Sequence, residues 1–293
     1  MPAERYPQAK LRLGTSAWLN DGSLVEEILF RRRGRVARPP EMRPAEEQLT
    51  GRYVYGGLLF DRYGHFLVES LARYWYIKRY PRRALLWHRR DSAELLPWQE
   101  EILAMLDVPA HSHNIVLRPT RVEHLIVPQL GAEVGGFLAA QQVEALAVYP
   151  FQPPDPAKRV WISRSSWQSA GVEGERELEE DLRRRGWRTV HPETLSVREQ
   201  LEQLSGAALI AGFDGSAFHT LLLARDVRAR VVIVPRRSGY AVPSTFDVIA
   251  EAKGLHQEIL DWPLTHASGA GRSATHALIN PSGLAAELDS RSV

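Results

Sequence analysis

The sequence predicts an α/β protein of two layered domains behind a small strand-rich lead-in. Three observations lead there. From residue 56 to residue 260, short apolar runs alternate with amphipathic stretches of helix length. Pro150-Phe151-Gln152-Pro153-Pro154-Asp155-Pro156 interrupts that alternation with four prolines in seven residues, which favours extended backbone and a domain boundary. The length, 293 residues, exceeds the roughly 100–200 residues of one ordinary domain. Fractions of 44% apolar and 25% charged residues fit a globular chain and exclude wholesale disorder.

Residues 1–45 form the lead-in. Short alternations at Lys10–Leu13 and Leu24–Phe30 flank an Asn20-Asp21-Gly22 turn signal. Arg31-Arg32-Arg33-Gly34-Arg35-Val36-Ala37-Arg38 follows, closed by Pro39-Pro40. A solvated loop is its plain reading; the sharper one is contact with anionic lipid head groups or another polyanion. Residues 46–150 read as the first α/β domain, with helices over Tyr63–Tyr80, Trp98–Leu106 and Gly136–Tyr149 and strands at Ala84–Trp87, Ile115–Leu117 and Leu125–Val127. Residues 157–265 alternate more regularly. Strands at Val160–Ile162, Thr189–Val190, Leu209–Ala211, Val231–Val234 and Glu258–Leu260 are separated by helices over Glu175–Arg185, Val197–Leu204, Ser216–Arg225 and Phe246–Ala252. That spacing implies right-handed crossovers and a parallel, doubly wound sheet with ligands outside the carboxyl ends of its strands. Residues 266–293 read as a tail, loose over Ala267–Ser273, with a short helix at Leu284–Leu288.

Composition narrows the chemistry. Cysteine is absent, which removes disulfides, thiolate metal sites and a cysteine nucleophile. A formal charge of +2 gives no general pull toward nucleic acid. Of 37 basic residues only Lys10, Lys78, Lys158 and Lys253 are lysine, so 33 are arginine, whose planar forks suit phosphate. Met1–Asn20 has charges every few positions and no apolar segment, and no run approaches the ~18 apolar residues of a membrane span. A cytoplasmic protein is expected.

Two segments could carry chemistry. In the first, Asp61, His65, Glu69 and Arg73 recur every four residues and would form one polar stripe on a helix. An imidazole with a carboxylate one turn away is a candidate general base, because the carboxylate fixes the tautomer and supports the charge formed on protonation. A structural or solvated stripe explains the pattern equally well. The spacing is not that of a zinc protease, and His111 and His113 are too weak a pair to build a metal site. In the second segment, strand Leu209-Ile210-Ala211 enters Gly212-Phe213-Asp214-Gly215-Ser216 and leaves as a helix, offering free N–H groups to a phosphate. Such turns also serve simply to bring backbones close. Val160-Trp161-Ile162-Ser163-Arg164 ends another strand of the same sheet in a cation, which on its own reads as a surface arginine.

These segments, taken in order, resemble the bacterial members of glycosyltransferase family 61, the capsular polysaccharide biosynthesis type. The block Gly64-His65-Phe66-Leu67-Val68-Glu69-Ser70-Leu71-Ala72-Arg73 is similar to that family's first motif and Trp161-Ile162-Ser163-Arg164 to its second. Pro192-Glu193-Thr194-Leu195-Ser196-Val197-Arg198-Glu199-Gln200, Leu204-Ser205-Gly206-Ala207 and Gly212–Ala217 follow with the family's spacing. The resemblance implies a GT-B-like architecture of two Rossmann-like domains facing a cleft. It implies inverting transfer of a sugar from a nucleotide-sugar donor, UDP-linked, to a saccharide acceptor in cell-surface polysaccharide synthesis. No cofactor and no metal are implied, and membrane contact would be peripheral, at the inner surface.

On these residues the resemblance assigns His65, oriented by Glu69 or Asp61, as the base. Ser163, Arg164, Glu175, Glu193, Gly212, Asp214, Gly215 and Ser216 become the donor site, with Arg164 and the turn on the diphosphate and Glu193 on the ribose. Two departures stand out: Gly174 replaces the Asn of an Asn-Glu pair, and Asp214 replaces a His. A carboxylate beside a diphosphate repels it unless it turns away, and capping the following helix is the expected way for Asp214 to do so. Two rival classes stay open: a non-catalytic carbohydrate-binding or assembly protein, and an unrelated Rossmann-type enzyme, against which stands the lack of a Gly-x-Gly-x-x-Gly turn. Tyr55, Tyr63, Trp75 and Trp167 could stack on sugar rings, although core burial is the commoner fate of such side chains.

Overall fold

The computed structural model describes residues 16–89, 91–166, 171–237, 242–269 and 274–291. The Lys10–Leu13 alternation and Trp167 lie outside these described residues. The chain divides between Leu146 and Ala147 into two compact units.

In the first unit, β1 (Arg31–Arg32) and β2 (Arg35–Val36) form a small antiparallel hairpin. Its turn residues Arg33 and Gly34 both have positive φ, 52° and 69°, as a tight hairpin turn requires. A parallel four-stranded sheet runs β5-β4-β3-β6, from β3 (Glu47–Leu58), β4 (Ala84–His88), β5 (His113–Val116) and β6 (Thr120–Ile126). The central strand β3 has no counterpart in the sequence reading, because Gly51, Gly56 and Gly57 break its apolar run. Two of those glycines answer to packing. A Cβ on Gly56 would lie 2.6 Å from the fully buried Trp87 ring, and Gly57, at φ 141°, faces the Ser70 carbonyl.

The expected continuous helix over Tyr63–Tyr80 is broken. It runs as α1 (Tyr63–His65), a π-turn over Phe66–Ser70 and α2 (Tyr74–Arg79). Tertiary bonds favour the wider turn: Ser70 Oγ donates to the Leu58 carbonyl at 2.7 Å and accepts from Phe60 N at 3.0 Å, drawing the segment onto the end of β3. Farther on, the helix expected over Gly136–Tyr149 is shorter. A hairpin of β7 (Ala132–Glu133) and β8 (Phe137–Leu138) precedes the helix at Ala140–Leu146.

In the second unit, the proline-rich stretch is drawn into regular pairing. β9 (Tyr149–Pro150) pairs in parallel with β14 (Ala224–Arg225), and β10 opens at Asp155 and runs to Ile162. With β12 (Arg188–Val190), β13 (Ala207–Phe213), β15 (Arg230–Val234) and β16 (His256–Ile259) it forms an all-parallel sheet ordered β12-β10-β13-β15-β16. Both units are therefore mixed α/β with parallel, Rossmann-like sheets. The strand sequence reverses between β10 and β13, the place where such sheets open a crevice at their carboxyl ends. There the two backbones nearly touch: a Cβ on Gly212 would lie 2.7 Å from the Ile162 carbonyl.

The helix over Glu175–Arg184 and the C-terminal helix over Pro281–Ser290 cover one face, where Leu178, Leu182, Leu284 and Leu288 close over Trp161, Phe213 and Val232. The final residues are thus core material. Part of the expected loose stretch is strand (Leu264–Ser268), and its remainder, residues 270–273, falls outside the described residues. Asp289 anchors the C-terminal helix, accepting from Arg159 and from Trp187 Nε1.

Replacing Gly56 with Ala places a methyl group inside the Trp87 ring contact. It should lower stability by about 1–3 kcal/mol, read as a lower urea midpoint at unchanged slope.

Candidate active site

The imidazole of His65 is held by a carboxylate one turn along. His65 Nδ1 lies 2.5 Å from Glu69 Oε2, and Glu69 is buried. Arg32 from the hairpin takes both carboxylate oxygens, Nε donating to Oε1 at 2.9 Å and Nη2 to Oε2 at 2.7 Å. Three donors thus meet one desolvated anion, the arrangement that makes burial of a carboxylate tolerable. Phe60 flanks the ring at 5.7 Å, and Phe30 packs on Phe60 on one side and under the Arg32 guanidinium, 5.1 Å from its centroid, on the other. With Nδ1 turned to Glu69, Nε2 is the ring nitrogen that faces away from the carboxylate.

Other members of the expected stripe go elsewhere. Asp61 is exposed and pairs with Arg89 at 2.6 Å, so Glu69 and not Asp61 orients the imidazole. Arg73 is buried, donates to the Pro128 and Glu27 carbonyls and lies 4.9 Å over the Tyr55 ring. Burial holds its guanidinium below the ordinary arginine range. The π-turn carries Arg73 off the stripe by widening the backbone between residues 66 and 70, whereas Asp61 lies ahead of the helix, which opens only at Tyr63. Arg32 is the site residue the sequence reading missed. It lay inside the basic run assigned to solvent or lipid, and nothing local in the sequence ties it to residue 69. Of the aromatic candidates, Tyr55 is buried in the core, Tyr63 packs on Trp98, and Trp75 donates to the Gln129 carbonyl.

In the second unit, Arg164 leaves the carboxyl end of β10 beside the turn that follows β13. A Cβ on Gly215 would lie 2.6 Å from Arg164 Nη1, so the guanidinium rests against bare backbone. Its Nε is buried with no hydrogen bond, and no carboxylate lies within ion-pair distance of it among the described residues. Burial, then the neighbouring Arg236, push Arg164 below the ordinary guanidinium range; Glu175, Asp214 and Glu193 pull the other way. The segment after the turn is a 3-10 helix over Ser216–Leu223 and not the expected α-helix; the N–H groups of its first turn have no preceding helical turn to bond.

Asp214 does not cap that helix. It is buried, accepts from Arg236 N at 2.8 Å and faces Arg236 Nε at 3.4 Å, so its charge turns toward a cation at the end of β15. Glu175 is almost fully buried beneath Arg164. Its Oε1 accepts from Arg164 N at 2.9 Å and Trp161 Nε1 at 3.1 Å, while Oε2 is buried with no hydrogen bond. Burial pushes this carboxyl up to about 7, with Glu179 adding to the shift and the bond from Arg164 N opposing it. Gly174 ahead of it has φ 86°, a conformation that Gly and Asn adopt readily, so the exchange of Asn for Gly preserves the backbone. Ser163 Oγ donates to Glu179 Oε1 at 2.5 Å, and His191 stands 4.0 Å from Glu179 and 3.8 Å from Glu193. Ser163, Arg164, Glu175, Glu193, Gly212, Asp214, Gly215 and Ser216 therefore gather around the strand ends at one sheet crevice. Among the described residues no group of three His, Asp or Glu side chains is placed to hold a metal ion.

The family model described as Glycosyltransferase 61 matches residues 63–233, more than half of the chain and a span that includes His65, Glu69 and the whole crevice of the second unit. No curated protein matches the chain.

Glu175 makes stability depend on pH. The unfolded carboxyl releases its proton near 4.5 and the folded one near 7, so its protonated form contributes fully below 4.5 and is lost as pH rises through 7. Chemical denaturation at pH 5 and pH 8 should show wild type losing on the order of 3 kcal/mol more than Glu175→Gln across that window.

Proposed function

Because the chain belongs to glycosyltransferase family 61, we propose that it transfers a sugar, with inversion, from a nucleotide-sugar donor to a saccharide acceptor. The observation that carries this reading is Arg164: a half-buried arginine whose buried Nε has no hydrogen bond, with no carboxylate in ion-pair range among the described residues, set on bare backbone at the switch point of a parallel sheet. A cation so placed is stable once an anion completes it, and a diphosphate meets it together with the N–H groups that open at Ser216. Asp214 does not oppose this, since its charge is committed to Arg236, and burial shifts Glu175 beneath toward its neutral form.

In the proposed step an acceptor hydroxyl gives its proton to His65 Nε2 as its oxygen bonds to the anomeric carbon. The bond from that carbon to the phosphate oxygen breaks, and the nucleoside diphosphate leaves on Arg164. One displacement inverts the centre. We take the two units as the acceptor-side and donor-side domains of a GT-B enzyme, the leaving group being balanced by arginine in place of a metal, and the donor as UDP-linked. Glu193, an electrostatic neighbour of Arg164, is the proposed ribose ligand. The pathway we propose is cell-surface polysaccharide synthesis of the bacterial capsular type, on the cytoplasmic side. Exposed Arg33, Arg35 and Arg38 supply charge for peripheral contact with an anionic membrane. No helix among the described residues is long and apolar enough to cross one.

A thermal-shift screen of nucleotide sugars against bare nucleotides tests the donor: saturable stabilisation by one nucleotide class supports the reading, and none by any class sinks it. With that donor, His65→Ala should lose roughly 10²–10⁴-fold in turnover while keeping the thermal shift. Arg164→Ala should weaken the donor-induced shift instead, by at least about tenfold in midpoint concentration.

A further inference from the structure

We infer that Arg32 is a positioning residue that keeps the His65–Glu69 pair in its proton-accepting form. The inference rests on the reading of His65 as the base, and it assigns a role to a residue that lies outside the matched span 63–233.

A histidine paired with a buried carboxylate alone has an easy way to satisfy that anion: it takes up a proton and becomes its counter-ion. An imidazolium so made cannot accept a proton from a hydroxyl. Arg32 supplies the counter-charge in its place. Its fork holds both Glu69 oxygens, so the carboxylate is neutralised and cannot rotate, and Oε2 stays aimed at His65 Nδ1. Arg32 Nη2 also stands 3.3 Å from His65 Nδ1, so a ring that took up a second proton would carry its positive charge beside the guanidinium. Protonation of the ring therefore meets a like charge at close range. The groups that face the ring are Glu69 from its own segment, Arg32 from the hairpin and the uncharged Phe60 from the loop after β3. The nearby ionisable side chains Asp61 and Arg89 neutralise each other.

Arg32 is also held there by construction. Arg33 N donates to the Val134 carbonyl at 3.0 Å and Gly34 N to Glu133 Oε1 at 2.5 Å, which pins the hairpin turn against β7. Phe30 supports the guanidinium from below.

The test reads the ring itself and needs no substrate, so its failure is separate from failure of the transferase reading. The His65 Cε1–H signal is assigned by its loss in His65→Asn and followed by NMR from pH 4.5 to 9. In Arg32→Gln the titration midpoint should rise by roughly 1–2 pH units relative to wild type. Arg33→Gln, next along the hairpin, should leave it in place. In Glu69→Gln, which keeps the arginine and removes the carboxylate charge, the midpoint should fall below the ordinary imidazole value of about 6.5. A folded Arg32→Gln with an unmoved midpoint overturns the inference. Should Arg32→Gln not fold, Glu69→Gln decides: a midpoint at or above about 6.5 shows that Arg32 does not act on the ring. Once a donor and acceptor are in hand, the acidic limb of the pH profile of kcat/KM should move in Arg32→Gln by the same amount and in the same direction.

Discussion

A carboxylate withdrawn from water needs charge and donors on every side, and Glu69 organises the first unit by that need. Its partners come from distant places in the chain: a hairpin at residues 31–36 and an imidazole one turn away. The π-turn keeps the carboxylate at this depth, and the π-turn in turn depends on Ser70 bonding the end of the central strand. Strand end, irregular helix and hairpin are thus one arrangement whose common term is the solvation of a single anion.

The second unit presents the opposite problem, a cation with no carboxylate at ion-pair distance among the described residues. Bare backbone at Gly212 and Gly215 lets β10, β13 and the Arg164 side chain approach more closely than any side chain at those positions would permit. The surrounding acids are tuned so that they do not quench it. Asp214 is spent on Arg236, and Glu175 is driven by burial toward its neutral form. A cation without an ion-pair partner among the described residues at a strand end is what the proposed anion would complete.

Much of this was legible in the residues. Alternating apolar runs reveal the parallel sheet of the second unit, and the short motifs around Arg164 and Gly212–Ser216 locate its crevice. His65 and Glu69 are readable as a pair because four residues set them on one side of a helical turn. What was hidden has particular causes. The central strand over Glu47–Leu58 is masked by glycines required for contact with Trp87 and Ser70. Asp61 and Arg73 share the spacing of the pair, but the helix opens only after Asp61, at Tyr63, and the π-turn ahead of Arg73 has no local sequence signal to announce it. Arg32 is 37 residues from its partner and sits among look-alike arginines, so only tertiary structure separates it from its neighbours. Asp214 reads as a helix cap because it stands just ahead of the expected helix and Asp is a favoured cap, whereas Arg236, just beyond β15, competes for it more strongly.

The boundaries of the matched family span do not coincide with the boundaries of what can fold. Residues 63–233 exclude the middle strand of the first sheet, the outer strand His256–Ile259 of the second, and the terminal helix that closes over Trp161 and Phe213. Cut to that span, the polypeptide would expose raw strand edges in both sheets, at β4, β6 and β15, and an uncovered apolar face, an aggregation-prone fragment. Swapping catalytic segments between relatives of this chain would therefore have to carry the flanking scaffold along, because the residues that define kinship are held up by residues that do not.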